Sequence, residues 1–442
     1  MLDSVDPEAV DRAIGQPATT LFVFASKSGG TIEPNSMAAE AMRRLDAAGI
    51  APAGSRFVAI TDEGTALHTR ARAERFRDIF VNPTDIGGRY SALSLFGLVP
   101  TALMGIDVNA FLAPARAMAT ACRSTQDDNP GVLLGAFMGA GALSGRDKLT
   151  LLLPDALASF GLWVEQLVAE STGKRGVGVV PITGEAADAT FETDRIAVVV
   201  KMGDASPHAA LLNQLQTRKV PYIEIALEGP LSLGAEFFRW EIATAAAGRL
   251  LKVNPFDEPN VQTAKDATNE ILGAFATSGA LPAPRADLEH AGLQLTLSSA
   301  ARAAHADPRQ FLAGTRAHDY VSLMAFLPPD DTALAHALTG LRNALGRTTR
   351  RPTMFGYGPR YLHSTGQLHK GGADNAVFVL VTAPPLRDFA VPGKGYSFGT
   401  LTQAQALGDF ASLERAGRRA VFVTLPSRTG EAVGVLERLL TR

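Results

Sequence analysis

The sequence is short of several features, and each shortage excludes a class of protein. Its 442 residues include one cysteine, Cys122, so an intrachain disulfide and a cysteine-rich metal site are both excluded. No apolar run approaches the length needed to cross a bilayer. Lys plus Arg (42) nearly balances Asp plus Glu (44), so the chain has no bulk attraction for nucleic acid or an anionic membrane. We therefore expect neither nucleic acid nor a membrane as a partner.

Further absences bear on location and cofactors. Residues 1–7 lack the basic and apolar regions of a signal peptide, which together with the single cysteine predicts a cytoplasmic protein. No Gly-x-Gly-x-x-Gly turn follows a predicted strand, which argues against a nicotinamide cofactor. His363 and His369 are six residues apart on a segment that we predict to be an irregular loop, with no acidic cluster beside them. We therefore expect no metal and no cofactor.

The pattern that is present is an alternation of strands and helices in three successive blocks. Such alternation is typical of parallel sheets covered by helices. The predicted blocks are residues 1–145, residues 146–277 and residues 288–442, and the linker candidate between the last two is the proline-containing segment 278–287. We therefore predict an α/β fold with two parallel-sheet domains and a C-terminal α/β block.

The first block contains a strand, loop and helix sequence at residues 21–33. The apolar run ends in small hydroxyl residues and two glycines, and a helical pattern begins at Asn35. Freed backbone N–H groups, the hydroxyls of Ser26, Ser28 and Thr31, and the helix N-terminus would form a concave site suited to a phosphate. The alternative is an ordinary strand-to-helix turn, because hydroxyls and glycines also cap helices.

Other candidate residues are ambiguous when they are taken singly. Arg89 follows two glycines at the start of a predicted helix, where it could face a ligand or form a surface ion pair. Glu170 lies near the end of a helical pattern, where a solvated carboxylate is the alternative to a catalytic one. Lys265 follows an Asp-Glu-Pro turn, and the segment 361–372 combines two histidines, a glutamine and paired glycines.

Taken together, the motifs resemble those of the glucose-6-phosphate isomerase family. Four of them occur in the order and at roughly the spacing of that family: Ser-Lys-Ser-Gly-Gly-Thr at 26–31, Gly-Gly-Arg-Tyr-Ser at 87–91, Glu-Ser-Thr-Gly-Lys at 170–174, and Asn-Pro-Phe-Asp-Glu-Pro-Asn-Val-x-x-x-Lys at 254–265. The C-terminal block, with His-Ser-Thr-Gly-Gln-Leu-His-Lys-Gly-Gly at 363–372, resembles the isomerase half of bifunctional transaldolase/glucose-6-phosphate isomerase proteins. No transaldolase barrel is evident in the sequence.

The resemblance implies two sugar-isomerase (SIS) domains with the active site between them. It also implies the interconversion of glucose 6-phosphate and fructose 6-phosphate without a cofactor. The residues that match the family's catalytic positions are Glu170 as the base, Arg89 near the reacting carbons, and Lys265 for ring opening. The residues that match its substrate-binding positions are Ser26, Lys27, Ser28, Thr31 and Gln166.

These residue types suit the reaction that the resemblance implies. A carboxylate at the edge of an apolar pocket has its pKa raised, so Glu170 could move a proton between C1 and C2 through a cis-enediol. Arg89 would stabilise the developing negative charge. Ring opening needs an acid and a base, for which we expect Lys265 and a histidine.

The histidine is a departure from the ordinary family pattern. The matching phrase lies far downstream, so we expect the C-terminal block to fold back and supply His363, with His369 as the second choice. Two other departures are Glu258 and Asn260, which stand where the family's lysine motif usually carries Gln and Gly. The chain also begins after the family's Gly-Gly-Ser strand, from which we expect an N-terminally truncated isomerase.

Two functions remain open at this level. The first is a cytoplasmic aldose-ketose isomerase, and the alternative is a non-catalytic SIS-type module that binds a sugar phosphate. The enzyme is favoured by the retention of Arg89, Glu170, Lys265 and the His363 loop. The missing strand favours the module. The expected partners are a phosphosugar, a second copy of the chain in a homodimer, and a transaldolase domain in the full-length protein.

Overall fold

The structure is a computed structural model that describes residues 2–204 and residues 209–442. In these residues it contains three separate sheets, one in each of the three predicted blocks. Within the same residues, no helix is both long and apolar enough to span a bilayer. The mixed α/β class that the sequence predicts is confirmed.

The first sheet is parallel, with its strands in the order in which they occur in the chain. Its strands are β1 (Phe22–Ala25), β2 (Phe57–Asp62) and β3 (Asp78–Asn82). The helices of this block are α1 (Pro7–Ile14), α2 (Ile32–Ala47), α3 (Ala66–Ala73), α4 (Leu95–Leu103), α5 (Val108–Ala121) and α6 (Pro130–Leu143). Asp6 starts α1 because its carboxylate accepts the Glu8 and Ala9 backbone N–H groups at 3.1 and 3.3 Å, and the following proline suits the first helical position.

The second sheet is also parallel, and its strand order is β5, β4, β6, β7. These strands are β4 (Lys148–Leu152), β5 (Val180–Thr183), β6 (Arg195–Met202) and β7 (Tyr222–Leu227). The helices of this block are α7 (Ala158–Thr172), α8 (Ala209–Thr217), α9 (Leu233–Leu251) and α10 (Val261–Ser278). Every residue of β4 is buried, as expected for a strand in the interior of a parallel sheet.

The third sheet is mixed, with the order β11, β10, β12, β13, β9, β8. Its strands are β8 (Leu288–His290), β9 (Leu293–Leu297), β10 (Tyr320–Phe326), β11 (Thr353–Tyr357), β12 (Ala376–Thr382) and β13 (Arg419–Thr424). Its helices are α11 (Ser299–Ala304), α12 (Thr332–Thr349), α13 (Gly366–Gly371), α14 (Phe398–Arg415) and α15 (Gly430–Thr441). The first four strands in this order are parallel, whereas β9 is antiparallel to both β13 and β8.

The three blocks share their apolar cores. Phe398 and Leu401 of α14 pack with Val10 and Leu45 of the first block. Ala169 of α7 belongs to the core beneath the third sheet. The predicted domain boundaries therefore separate the sheets but not the packing, and they remain predictions.

Two local predictions are wrong. Arg89 does not start an α-helix, because it lies in a short 3-10 helix (Gly88–Tyr90), and α4 begins only after Ser94 accepts the Phe96 N–H at 3.4 Å. The histidine segment is not an irregular loop, because a 3-10 turn (Arg360–His363) leads directly into α13.

Candidate active site

A cavity of about 340 Å³ opens beside the loop between β1 and α2. Ser28, Gly30 and Thr31 line it on the loop side. The loop is held in shape from within, since Ser26 Oγ accepts the Gly29 N–H at 3.1 Å and Ser28 Oγ accepts the Gly30 N–H at 3.3 Å. Ser26 itself is buried beneath the loop. The arrangement exposes hydroxyls and a helix N-terminus to the cavity, which is the geometry of an anion site.

Gly29 is required in this loop for two separate reasons. Its φ of +69° lies in the left-handed region that favours glycine. A Cβ at this position would also lie 2.3 Å from the Leu67 backbone nitrogen. The loop can therefore approach α3 closely only with glycine here.

Lys27 points elsewhere. Its Nζ pairs with Asp62 Oδ2 at 2.5 Å and donates to the Thr84 carbonyl at 2.8 Å. The structure does not bring this ammonium to the cavity, although sequence reasoning groups it with the phosphate contacts. Its pairing instead ties the loop to the end of β2.

The opposite wall of the cavity comes from α10 and from the C-terminal block. Lys265 lines it from α10, His363 from the 3-10 turn before α13, and Gln405 from α14. The structure thus brings residues of all three predicted blocks to one cavity. His363 reaches the site within the same chain.

His363 is held by a buried carboxylate that sequence reasoning did not assign a role. Its Nε2 lies 3.0 Å from Glu33 Oε1, and that oxygen also accepts the Gln405 amide at 2.7 Å. Burial alone would raise the pKa of Glu33, but the hydrogen bond and charge of His363 hold that pKa below its ordinary range. The sequence signal was present, because Glu33 is the acidic residue in the first turn of α2, directly after the anion loop.

The same pair shifts the histidine in the opposite direction. Burial alone would lower the pKa of His363, but the Glu33 hydrogen bond and charge outweigh it and raise that pKa. The nearby Lys265 ammonium opposes the rise. The His363 backbone carbonyl accepts from Gln166 Nε2 at 2.8 Å, which fixes the main chain as well as the ring.

Glu170 and Arg89 form a second cluster, which lies outside the lining of the cavity and is connected to His363 through Gln166. Glu170 is 7% exposed, its Oε2 accepts from Gln166 Nε2 at 3.3 Å, and its Oε1 lies 3.3 Å from Arg89 Nη1. Burial raises the pKa of Glu170 above its ordinary value, and the charge of Arg89 offsets part of that rise. Gln166 touches both Glu170 and the His363 backbone, so it links this cluster to the cavity.

Arg89 is fixed by several hydrogen bonds. Its Nη2 donates to the backbone carbonyls of Pro255 and Asp257, both at 2.9 Å, and its Nε donates to Ser171 Oγ at 2.9 Å. Glu258 lies 3.0 Å from its Nη1. The guanidinium is therefore held rigidly next to Glu170 by the chain that leads to α10.

His369 lies in the protein core. Its ring is 2% exposed and packs near Tyr320, Tyr361 and Phe378, with Ser322 Oγ 3.4 Å from its Nε2. Burial lowers the pKa of His369 well below its ordinary value, so the ring is neutral. The structure does not bring His369 to the cavity, and of the two candidate histidines only His363 lines it.

A Gly-x-Ser-x-Gly sequence, a pattern found in serine hydrolases, occurs at residues 395–399. Its Ser397 Oγ donates to Asp388 Oδ2 at 2.5 Å and accepts the Thr400 N–H at 3.1 Å. The serine therefore caps α14. Over residues 2–204 and 209–442, no group of three or more His, Cys, Asp or Glu side chains is arranged to hold a metal ion.

Comparisons with known proteins bear on the family of this chain. The model of the family described as phosphoglucose isomerase matches residues 1–222. A glucose-6-phosphate isomerase of Synechococcus sp. (strain JA-2-3B'a(2-13)) is 30% identical over 325 residues, which cover 61% of this chain and 60% of the relative. That of Prochlorococcus marinus (strain MIT 9313) is 32% identical over 320 residues, covering 61% and 57%. The chain thus spans about three fifths of the length of these relatives.

Solved structures with a similar fold are also known. A hypothetical protein from Thermus thermophilus aligns with a TM-score of 0.55 at 24% identity, covering 61% of this chain and 76% of that one. A glucose-6-phosphate isomerase from Chlamydia trachomatis D/UW-3/Cx aligns with a TM-score of 0.51 at 20% identity, covering 62% and 63%. These two likenesses concern the fold. Because the family model matches half of its residues, the chain belongs to the phosphoglucose isomerase family.

Proposed function

We propose that this chain interconverts glucose 6-phosphate and fructose 6-phosphate. The observation that carries the proposal is that two proton-transfer groups, each with a raised pKa, are connected through one side chain, Gln166. Glu170 is a buried carboxylate with a raised pKa, and His363 is a histidine whose pKa is raised by an ionised partner, Glu33. A buried carboxylate whose pKa is raised and a histidine that keeps its proton to higher pH suit proton transfer near neutral pH.

The anion loop supplies the first step, which is binding. Ser28 and Thr31 line the cavity and would hold the phosphate, since hydroxyls beside a helix N-terminus favour an anion. Ser26 supports the loop from beneath. A cavity of about 340 Å³ falls within the size range of small-molecule sites.

Ring opening would use His363 and Lys265, which line the wall opposite the loop. In the pair with Glu33, His363 keeps its proton to higher pH and can donate it to the ring oxygen O5. The O1 hydroxyl gives its proton to water as the C1–O5 bond breaks, which leaves an open-chain aldehyde, and His363 regains a proton from water. Lys265 would donate a hydrogen bond to these oxygens and stabilise negative charge on them, because an ammonium has three donors and no acceptor.

Isomerisation of the open chain would use Glu170. The carboxylate takes the proton from C2 while O1 gains one from water, which forms the cis-enediol. It then returns the proton to C1 as the O2 hydroxyl gives its own proton to water, which leaves the ketone. Arg89 lies 3.3 Å from Glu170 and would stabilise the negative charge that develops on the oxygens. Gln166 keeps the Glu170 helix in contact with the His363 backbone during both steps.

A coupled assay for glucose 6-phosphate formed from fructose 6-phosphate tests the proposal. We expect turnover by the wild-type chain and a loss of about 10³-fold or more in Glu170→Gln, on the scale of removing an essential proton-transfer group. The matched control is Glu236→Gln, because Glu236 is also a buried helical glutamate with a raised pKa and an arginine partner, Arg239, at 3.2 Å. Binding of sugar phosphate without turnover would instead support the non-catalytic module.

Assembly and location form part of the same proposal. We expect a homodimer, supported by large apolar side chains left exposed on the second half of the first block, such as Met104 (69%) and Leu143 (64%). We expect it to act in the cytoplasm, where its single cysteine would stay reduced, and in a longer protein with a transaldolase domain, as the histidine segment's resemblance implies. Sedimentation velocity and cell fractionation test the first two expectations.

A further inference from the structure

Gln367 is a fully buried amide in α13 that has no assigned role in the proposed reaction. Its side chain is 0% exposed. Its Nε2 donates to the Gly173 carbonyl at 2.9 Å and to Asn260 Oδ1 at 2.8 Å, and its Oε1 accepts the Asn260 backbone N–H at 2.8 Å. Both donors of Nε2 and one acceptor site of Oε1 are thus engaged.

The partners of this amide and the amide itself belong to the three segments that carry the proton-transfer groups. Gly173 follows Glu170 at the end of α7. Asn260 is the residue before α10, which carries Lys265. Gln367 itself lies one turn after His363. One side chain therefore connects the segments of the base, the lysine and the histidine.

Two glycines beside this amide leave no room for a side chain. A Cβ on Gly371 would lie 2.5 Å from Asn260 Oδ1 and 2.5 Å from Gln367 Nε2. A Cβ on Gly173 would lie 2.5 Å from Leu368 Cα. The Gly176 N–H also donates to the Gly371 carbonyl at 2.9 Å. Helix α13 thus packs directly against the segment that follows Glu170, and hydrogen bonds fix its position.

We propose that Gln367 is a positioning residue for the isomerase, holding the segments of Glu170, Lys265 and His363 in register. This inference rests on the proposed function and extends it. The hydrogen bonds of Gln367 go to Gly173 and Asn260 and not to the anion loop 26–31, and Gln367 does not line the cavity, so we expect it to act on the proton-transfer geometry and not on phosphate binding. Misplacement of reacting groups by about 1 Å lowers the rate by about 10²-fold, so the loss of these hydrogen bonds should lower kcat measurably.

The test is Gln367→Met, which keeps the length of the side chain and removes its hydrogen bonds. We expect kcat per folded molecule to fall by about tenfold to a hundredfold, with KM for fructose 6-phosphate changed by less than about twofold. Asn260→Ala is the second variant, because it removes one of the three bonds and keeps the backbone N–H, and we expect a smaller loss of kcat. The control is Gln214→Met, since Gln214 also clamps backbone, at Ala189 and Phe191, but in α8.

Hydrogen exchange separates this inference from the proposed function. In the wild-type chain we expect the Asn260 amide to be protected, and in Gln367→Met to exchange at least about tenfold faster, whether or not the chain is active. If the wild-type chain is inactive but shows this exchange pattern, the proposed isomerase activity is overturned. The role of Gln367 in holding the three segments in register is then still supported. If the wild-type chain is active and Gln367→Met changes neither kcat nor the protection of the Asn260 amide, the inference is overturned. It is also overturned if Gln214→Met lowers kcat as much as Gln367→Met does.

Discussion

Glu33→Gln changes one charge at the centre of the site and nearly preserves its shape. In the wild-type chain Glu33 is 7% exposed. Its Oε1 lies 3.0 Å from His363 Nε2 and accepts a hydrogen bond from Gln405 Nε2 at 2.7 Å. The substitution removes the negative charge that raises the pKa of His363. The pKa of His363 therefore falls, and the imidazole loses its proton at lower pH.

The magnitude follows from the kind of hydrogen bond that is lost. Bonds to charged groups contribute about 1.5–3 kcal/mol. The His363 side chain is 37% exposed, so solvent screening places this one near about 1.5 kcal/mol. That energy corresponds to roughly a tenfold change in the fraction of His363 that is protonated, or in the ring-opening rate, on the alkaline side of the optimum.

The assay compares two substrates across the pH range. With fructose 6-phosphate, we expect the alkaline limb of kcat/KM to move to lower pH in Glu33→Gln. With a tetrose 4-phosphate, which cannot close a ring because its O4 carries the phosphate, we expect the limb to stay in place because no ring has to be opened. The assignment of Glu33 and His363 to ring opening would be refuted if the alkaline limb of kcat/KM moved with neither substrate. It would also be refuted if Glu33→Gln lowered kcat/KM equally for both substrates.

The same pair has a consequence for stability, with a sign fixed by the two shifts. The lowered pKa of Glu33 stabilises the fold above the ordinary value of 4.5, and this contribution is lost as pH falls through the folded-state value. The raised pKa of His363 stabilises it below the ordinary value of 6.5, and this contribution is lost as pH rises through the folded-state value. Urea unfolding should therefore show the largest difference between wild type and Glu33→Gln between those two values.

Three further substitutions test other parts of the structure. Gly371→Ala should lower the free energy of unfolding by about 1–3 kcal/mol through overpacking, measured by urea titration. Glu258→Gln removes a negative charge that raises the pKa of Glu170, so the acid limb of kcat should move to lower pH, and an unmoved limb would contradict that coupling. Asp6→Ala removes the carboxylate nearest to the buried Arg428 guanidinium, at 2.6 Å, and should cost about 3–5 kcal/mol of unfolding free energy, whereas a cost near zero would contradict the burial of the pair.

Strands and helices with strong local patterns could be predicted from the sequence. β6 (Arg195–Met202), β12 (Ala376–Thr382) and α1 (Pro7–Ile14) have such patterns, because a continuous apolar run or a capped, proline-initiated helix is a local signal. β8 is three residues long with two exposed residues, so it carries no such pattern. Its existence depends on pairing with β9, which is a tertiary contact.

In the site, too, residues within local motifs could be predicted from the sequence, whereas their partners from distant segments could not. The motifs point to Glu170, Lys265 and His363, and the structure gathers their segments together. The partners that hold them could not be predicted, since Glu33 meets His363 across 330 positions and Gln405 across 372. Neighbouring residues in a motif can also face opposite ways, as Lys27 does when it pairs with Asp62.

Solvent deuterium incorporation tests the central claim, that Glu170 moves a proton between C1 and C2. Fructose 6-phosphate is incubated with the chain in D₂O for many turnovers, and glucose 6-phosphate is examined for deuterium at C2 by NMR. We predict deuterium at C2 with the wild-type chain and with Glu236→Gln, and its loss with Glu170→Gln, because a carboxylate that holds the proton between two carbons exchanges part of it with solvent. Product without deuterium at C2, or undiminished incorporation by Glu170→Gln, would contradict the account.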